Sequence, residues 1–457
     1  MGIVVTLACV VAACRFLWPQ PDINAQPGST ERQLAFVRAA LDGGADTAAQ
    51  QQFPEGHFFL NALYGLAWVQ AAHTDPTLRD EALRESRWAL ARVESEQGRA
   101  VFSPALRPAY GIFWAGWTNW LRGAILTLDA TDPVVVQRFS AHSEGIAQAF
   151  AASETPFLQA YPRQAWPVDS TVAMASLRLH DHLFEDRYAT VTARWLDAVR
   201  ARLDPATGLL PHEVSPDGAQ LDGARATSQS VIQRFLPEID TAFAREQYAG
   251  YRDRYLAHPG GFGPALREYP HGVDGVGDVD SGPLVAGISL SATVVGLGAA
   301  RVNGDNELAA ALGAEGELLG LPVDLPGSKR YAFGTVPIGD AFVVWSSTAR
   351  LLTTEPAVGD WETRWWWRVP WLAALGLIAV IPWGRATRRR DPQHIGPGGR
   401  TKSEGGQQQP SPVGAPSRLP VRPRRAASAA TRRLVLAECR RRGEQRRRGS
   451  STAHTPG

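Results

Sequence analysis

The sequence contains very little cysteine. Its only cysteines are Cys9, Cys14 and Cys439, so residues 15–438 have none. This absence excludes a disulfide, a thiolate nucleophile and a cysteine-based metal site from the body of the chain. The HExxH, P-loop and GxSxG motifs are also absent, so nothing supports a metalloprotease, a nucleoside triphosphatase or a serine hydrolase. The body must be held together by core packing, for which an apolar fraction of 44% is ample.

Charge is divided unevenly along the 457 residues, although the net charge is only +2. Residues 385–457 carry 18 of the 47 Lys and Arg but only 4 of the 45 Asp and Glu, which leaves 29 basic and 41 acidic residues in 1–384. The acidic body predicts no nucleic-acid partner for the main domain. The Pro, Gly, Gln, Ser and Arg of 385–457 predict a disordered basic tail. Its Arg runs could contact lipid head groups or nucleic acid, but we interpret it as a solvated cytoplasmic tail.

An uncharged stretch separates the body from this tail. Residues 369–383 carry no charge, Trp lies at both ends, and four arginines follow within 385–390. Aromatic rims and a basic stop are typical of a transmembrane helix whose C-terminal side is cytoplasmic. We therefore predict a membrane span at 361–384, in which a snorkelling Arg368 and the Trp run lengthen a short apolar core. This places the body outside the cytoplasm; the alternative is a buried C-terminal helix.

The N-terminal segment is also apolar, over residues 3–13. We predict a signal or membrane anchor at 1–18, followed by a Pro/Gly linker at 19–30. The alternatives are a lipoprotein, because 11–14 resembles a lipobox that would lipidate Cys14, and a misplaced start codon. The start of the chain also fits the short myristoylation pattern, but the apolar run explains the same residues better.

Six times in the body, a loop rich in Gly, Pro, aromatic or acidic residues leads into a long apolar stretch. The stretches lie at 57–73, 110–128, 166–183, 225–238, 281–300 and 334–352. Amphipathic charged segments lie between them, for example 76–96, 133–152 and 187–203. This alternation predicts an all-α domain over 31–355, in which six helical hairpins close into a ring with the apolar members inside. Polar residues in the loops before the inner helices would then face a single funnel.

The fifth stretch has a second interpretation. Residues 283–300 are 18 residues without a charge, which also qualifies as a transmembrane candidate in a multi-span protein. Three glycines and flanking charges make the segment only modestly hydrophobic. We interpret it as a core helix, because a span there would place the last hairpin across the membrane from its partners.

Acidic residues before two of these stretches are the strongest candidates for chemistry. Asp278 and Asp280 lie in the sequence GVGDVDSGP at 275–283, and Asp169 follows Trp166 at the start of the third stretch. An aspartate at such a position could also cap the helix. A calcium loop that includes Asp274 is a further alternative, although the EF-hand spacing is absent.

Aromatic and polar residues near the same loops are candidate substrate contacts. The aromatic candidates could instead be core, and the others could be ordinary surface residues. We predict as substrate-binding residues Tyr110, Trp114, Trp117, Trp166, His212, Glu213 and His271.

In hairpin number, spacing and polar loops, residues 30–355 resemble the six-hairpin, glycosidase-like (α/α)6 toroid superfamily. The resemblance implies a carbohydrate or other small polar substrate, no cofactor and no metal, and two carboxylates from different inner helices: Asp169 with Asp280 or Asp278. One alternative is a non-catalytic glycan-binding or scaffolding protein of the envelope. Another is a toroid lyase or isomerase similar to terpene-alcohol dehydratases, although those rely on cysteines that this body lacks.

Overall fold

A computed structural model describes residues 2–17, 28–355 and 359–388, which lie in one compact unit. The predicted disordered tail, apart from 385–388, and most of the predicted linker lie outside the described residues. The described part is mostly helical, which confirms the all-α prediction. Within the described residues, the only paired strands form three short antiparallel hairpins.

The helices are named in chain order. They are α1 (Gly2–Leu17), α2 (Ser29–Asp42), α3 (Ala45–Gln52), α4 (Gly56–Thr74), α5 (Arg79–Val93), α6 (Glu96–Arg99), α7 (Gly111–Leu128), α8 (Pro133–Ala151), α9 (Pro167–Leu183), α10 (Ala189–Arg200), α11 (Ala226–Phe235), α12 (Thr241–Tyr255), α13 (Leu290–Val302), α14 (Asn306–Leu319), α15 (Pro337–Ser347) and α16 (Arg368–Arg388). The strands pair as β1 (Glu213–Val214) with β2 (Gln220–Asp222), β3 (Leu256–Ala257) with β4 (Ala265–Leu266), and β5 (Val323–Leu325) with β6 (Ser328–Arg330).

The six apolar stretches of the sequence form helices that contact one another in a cycle. Helix α4 packs against α7, α7 against α9, α9 against α11, α11 against α13, α13 against α15, and α15 against α4. The more polar helices lie against these six: α5 on α4, α8 on α7, α10 on α9, α12 on α11, α14 on α13, and α2 on α15. The six apolar helices therefore form one layer of packed elements.

Small residues allow neighbouring apolar helices to approach closely. A Cβ atom on Gly116 of α7 would lie 2.9 Å from the Cα of Ala173 on α9 and 3.0 Å from its backbone N. Any larger residue at this position would force the two helices apart. Aromatic side chains fill the space farther in, where the Trp117 ring lies 5.6 Å from Phe59, 5.3 Å from Phe235 and 5.8 Å from Trp345.

The ends of the helices follow from local capping chemistry. The Asp132 side chain accepts a hydrogen bond from Val134 N at 2.9 Å at the start of α8, and Pro133 takes the first helical position, where its missing N–H costs nothing. Ser289 caps α13 in the same way, accepting from Ala292 N at 3.2 Å. A carboxylate cap thus marks the start of the outer helix α8, and a hydroxyl cap marks the start of the apolar helix α13.

The fifth apolar stretch begins later than predicted. The sequence predicts a helix from 281, but α13 starts at Leu290 and residues 281–289 form a loop. Gly282 and Gly287 adopt positive φ angles of 67° and 78°, which interrupt a right-handed helix. The 13 residues of α13 pack between α11 and α15 as a core helix.

Near the C-terminus, one helical segment of the described chain is long and apolar enough to cross a membrane. It spans Trp365–Trp383, and only 6% of its most apolar part is buried. Helix α16 continues past the predicted end of the span at 384 to Arg388. The segment is consistent with association with a membrane.

Candidate active site

Three carboxyl groups converge from different parts of the chain. Glu55 directly precedes α4, Asp169 lies in the first turn of α9, and Asp280 lies in the loop before α13. Asp169 interacts electrostatically with both Glu55 and Asp280. Asp280 in turn interacts with Glu55. These three residues are called the carboxyl cluster below; they bring together the predicted acids Asp169 and Asp280.

Asp169 is buried without a partner. Its exposed fraction is 5%, and no donor among the described residues forms a hydrogen bond or an ion pair with its carboxyl group. The carboxyl therefore does not cap α9. Burial raises the pKa of Asp169 well above its usual range, and the negative charges of Glu55 and Asp280 raise it further. Both effects favour the neutral, protonated form of this carboxyl, in which it can donate a proton.

Asp280 occupies a different environment. It is accessible to solvent, yet protein atoms crowd it enough for burial to raise the pKa of its carboxyl to about 6, with further contributions from Asp278 and Glu55. Within the described chain its carboxyl has no hydrogen-bond partner, and Ser289, not Asp280, caps the following helix. Above pH 6 this carboxyl is ionised and available as a base.

Tyr161 and Trp166 form the aromatic side of the cluster. The Tyr161 hydroxyl donates a hydrogen bond to Glu55 Oε1, and the two rings lie 5.8 Å apart, nearly perpendicular. Burial raises the pKa of Tyr161, and the charges of Glu55 and Asp169 raise it further, so the phenol stays protonated. Trp166 is half-buried. The structure therefore places one predicted aromatic contact, Trp166, beside the carboxyl cluster.

Glu55 and Tyr161 are not among the residues that the sequence patterns predicted. Glu55 lies in the sequence FPEGH directly before the first apolar stretch, which is the same kind of position that singled out Asp169. The position of an acid directly before an apolar stretch, considered at all six loops, therefore also predicts Glu55. Tyr161 is 106 residues away in the chain and approaches Glu55 only through the tertiary fold.

Asp278 differs from its neighbour Asp280 because it has a cationic partner. Its Oδ2 atom lies 2.7 Å from Nη1 of Arg225, and its Oδ1 atom accepts from Ser281 N at 2.9 Å. Burial opposes ionisation, but the Ser281 N–H and the Arg225 guanidinium outweigh it and lower the pKa of Asp278. Arg225 also donates from Nε to Glu268 at 2.8 Å. Asp278 is therefore an ionised residue that anchors the loop carrying Asp280.

His212 and Glu213 lie on the approach to the cluster. Nδ1 of His212 lies 2.6 Å from the Ser228 hydroxyl in α11, and burial followed by the Arg225 charge lowers the pKa of His212 to about 4. Glu213 is in β1, whose Val214 bonds to Ala165 next to Trp166. Burial raises the pKa of Glu213, and Asp222 raises it further. A neutral His212 and a half-buried Glu213 thus flank the starts of α9 and α11.

The other predicted contacts lie away from the carboxyl cluster. Trp114 is buried and donates from Nε1 to Val93 O in α5 at 3.3 Å, and the Tyr110 ring packs 5.1 Å from it. Both therefore face the outer helices. Trp117 is part of the aromatic core described above. His271 is exposed and bonds through Nε2 to Leu256 O at 2.9 Å, on the β3–β4 hairpin.

Metal binding finds no support in this loop. Asp274 bonds to Arg267 at 3.1 Å and Asp278 bonds to Arg225, so two of the acids considered for calcium have cationic partners. Across the described residues, no group of three or more His, Cys, Asp or Glu side chains is arranged to hold a metal ion. The carboxyl cluster holds one acid whose protonated form is favoured and one with a pKa of about 6, which suits donating a proton to a ligand and accepting one.

A separate hollow lies beside α5 and is lined by His57, Trp88, Arg92 and Gln97, among others. It does not include the carboxyl cluster. Glu96 also lines it, and behind His57 and Arg92 lies Asp46, which accepts from Asn61 and Arg92, lies 3.2 Å from His57 and is therefore paired. The chemistry of the side chains, and not the size of a hollow, therefore selects the carboxyl cluster as the candidate site.

Comparison with known proteins adds no relative. No protein-family model matches the chain, and no curated protein matches it.

Proposed function

We propose that the protein is a membrane-anchored glycoside hydrolase whose body is an (α/α)6 toroid on the extracytoplasmic side of the membrane. The cyclic contacts of α4, α7, α9, α11, α13 and α15 support the toroid. The Trp-rimmed, uncharged segment before the arginines of 385–390 supports a span with a cytoplasmic C-terminal side.

The observation that carries the chemistry is the different environment of two neighbouring carboxyl groups. Asp169 is buried and unpaired, which raises its pKa and favours its protonated form, whereas Asp280 is reachable by solvent and has a pKa of about 6. A pair of acids whose environments favour opposite protonation states is the requirement for hydrolysis of a glycosidic bond. Trp166 and Tyr161 would supply rings against which a sugar can stack.

In the proposed reaction, the carboxylic acid of Asp169 donates its proton to the glycosidic oxygen as the bond from that oxygen to the anomeric carbon breaks. Water attacks the anomeric carbon, and the Asp280 carboxylate accepts a proton from that water. The products are two sugars with free hydroxyl groups. Asp280 then releases its proton to solvent and Asp169 regains one, which restores the starting state.

The test uses full-length protein in detergent and a panel of neutral oligosaccharides, with new reducing ends as the readout. Asp169→Asn and Asp280→Asn are each expected to reduce kcat by about 10²–10⁴-fold, the contribution of a general acid or base. Asp274→Asn is the matched control, because its side chain lies on the same loop and is 97% exposed. Full activity in both active-site variants would refute the proposal. Binding that persists in both, without any cleavage by the parent, would favour the glycan-binding alternative.

One observation favours a second candidate, a toroid lyase or isomerase that acts on an apolar alcohol. The loop carrying Asp280 and the residue at the start of α13 expose aliphatic side chains: Val276 is 83% exposed, Val279 69%, Val285 74% and Leu290 72%. Such a surface suits an apolar substrate better than a sugar. Asp169 would then protonate a leaving hydroxyl and Asp280 would remove a carbon-bound proton, giving water and an alkene. Release of an alkene from a terpene alcohol, with no cleavage of oligosaccharides, would select this candidate.

A further inference from the structure

The first and last helices of the described chain lie side by side and run in opposite directions. The Thr6 hydroxyl donates to Ala379 O at 3.2 Å, and Trp383 Nε1 donates to the Thr6 hydroxyl at 2.9 Å. At the other end, the ring of Phe16 lies 5.1 Å from the ring of Trp367. The start of α1 is therefore beside the end of α16, and the end of α1 is beside the start of α16.

The Thr6 hydroxyl of α1 faces α16 and forms its hydrogen bonds with that helix. The sides of both helices that face outward are apolar. On α1, Ile3 is 64% exposed and Val4 68%; on α16, Leu377 is 66% exposed and Val380 64%. Residues 2–14 carry no charge. In lipid, exposed aliphatic side chains with all backbone groups bonded inside the helices are the stable arrangement. The pair therefore presents a continuous surface suited to acyl chains.

The pair is also joined to the body. Phe16 and Trp367 are 3% and 1% exposed and pack with Ala311 of α14. Trp371 packs at the same place and donates from Nε1 to Glu315 Oε1 at 2.7 Å. This junction fixes one end of both helices against the same outer helix, so α1 is built into the fold at its end as well as along its length.

We propose that α1 is retained in the mature protein as a second transmembrane helix, paired antiparallel with α16. Its start would then lie on the cytoplasmic side, beside Trp383 of α16. This inference rests on the proposed membrane location of α16 and is independent of the proposed chemistry. Cleavage before Cys14, as a lipoprotein requires, would remove Thr6 and the contacts it makes with α16.

Helix α1 is too short to cross a bilayer alone, but it can do so when it is paired with α16. Sixteen residues extend for about 24 Å, less than the roughly 30 Å of a bilayer core. A short helix is accommodated by local thinning and by association with a longer neighbour. Trp367 and Trp383, near the two ends of α16, also contact α1 near its two ends, at Phe16 and Thr6.

The test is disulfide crosslinking of the full-length chain in native membranes. In a background of Cys9→Ala, Cys14→Ser and Cys439→Ser, the pair Thr6→Cys and Ala379→Cys is oxidised and the linked peptides are identified by mass. A disulfide requires Cα atoms within about 7 Å, so this pair is expected to crosslink. The matched control pairs Thr6→Cys with Leu377→Cys, on the exposed side of α16, and is expected not to crosslink.

Intact mass and alkaline extraction separate the possible failures. The expected result is a protein that resists extraction and retains the α1 residues. A protein that resists extraction but has lost α1, or that crosslinks equally in both pairs, would overturn the pairing and leave the membrane location of α16 intact. A protein released by alkali would overturn both. None of these results affects the activity test of Asp169 and Asp280.

Discussion

Two buried acids in this molecule have opposite surroundings. Asp46 in α3 is fully buried, and its carboxylate accepts from Thr47 N at 2.7 Å and Asn61 Nδ2 at 2.9 Å, with an additional bond from Arg92. Burial alone would raise the pKa of Asp46, but the bonds from Arg92 and Asn61 outweigh it and lower the pKa. Asp169 is buried to nearly the same degree, and none of the described residues pairs with its carboxyl.

The difference shows that burial of an acid does not by itself indicate function. A buried carboxylate with enough donors is a structural element, since its charge is compensated. A buried carboxyl without donors lowers the stability of the folded protein, because it must keep its proton to remain neutral. Such an arrangement is expected where a proton is to be transferred. The Asp46 group and the carboxyl cluster can therefore be told apart by experiment.

The largest predicted effect is on stability. Asp46→Ala leaves Arg92, Asn61 and His57 without their shared partner and is expected to lower the free energy of unfolding by about 3–5 kcal/mol. Asp169→Ala removes no hydrogen bond and is expected to cost less than about 1 kcal/mol. Urea unfolding of the detergent-solubilised protein at pH 7 measures both. Equal losses would mean that the Asp169 carboxyl has a structural partner after all.

A second contrast lies in the aromatic residues. Trp114→Ala leaves a cavity between α7 and the outer helices and is expected to cost about 3 kcal/mol of stability. Trp166 is only half-buried, so Trp166→Ala is expected to cost less stability while it weakens binding of the substrate. Thermal unfolding and KM, measured on both variants, give the comparison. A Trp114 variant that folds normally but binds weakly would instead place the sugar near the outer helices.

The third prediction concerns pH and compares Asp280 with Asp278. The folded-state pKa of Asp280, about 6, lies above the pKa of an aspartate in the unfolded chain. The native state therefore binds more protons than the unfolded state between pH 4 and 6, and the stability of the protein falls as pH rises through that window. The lowered pKa of Asp278 has the opposite sign: its contribution is present above pH 4 and is lost as pH falls through the folded pKa.

Stability measured at pH 4, 5, 6 and 7 checks both signs. Asp280→Asn is expected to gain stability relative to the parent as pH rises from 4 to 6. Asp278→Asn is expected to be less stable than the parent at pH 6 and to approach it as pH falls below 4. Parallel curves for the two variants would contradict the assignment of different protonation states to these neighbouring residues.

Much of the fold was predictable from local patterns, since apolar stretches and caps are encoded over a few residues. Asp169 and Asp280 were predictable in the same way, from acids that precede apolar stretches. Their pKa shifts were not, because these depend on tertiary contacts: Asp169 is buried near Glu55, and Arg225 pairs with Asp278 but forms no hydrogen bond with Asp280. The late start of α13 follows from two glycines with positive φ angles, Gly282 and Gly287. The uninterrupted run of uncharged residues gave no sign of this backbone conformation.

The smallest predicted effect tests whether Glu55 and Tyr161 belong to the site or only support it. Tyr161→Phe removes the hydroxyl that donates to Glu55 and keeps the ring beside Trp166, so it is expected to cost about 1 kcal/mol of stability, the net value of one hydrogen bond. Tyr110→Phe is the matched control, because the Tyr110 hydroxyl has no hydrogen-bond partner in the described part of the chain. Since Glu55 also acts on Asp169 and Asp280, a supporting role predicts that Tyr161→Phe shifts the pH–rate profile while the maximal rate changes little. A large loss of maximal rate with an unshifted profile would instead make Tyr161 a proton donor to the substrate.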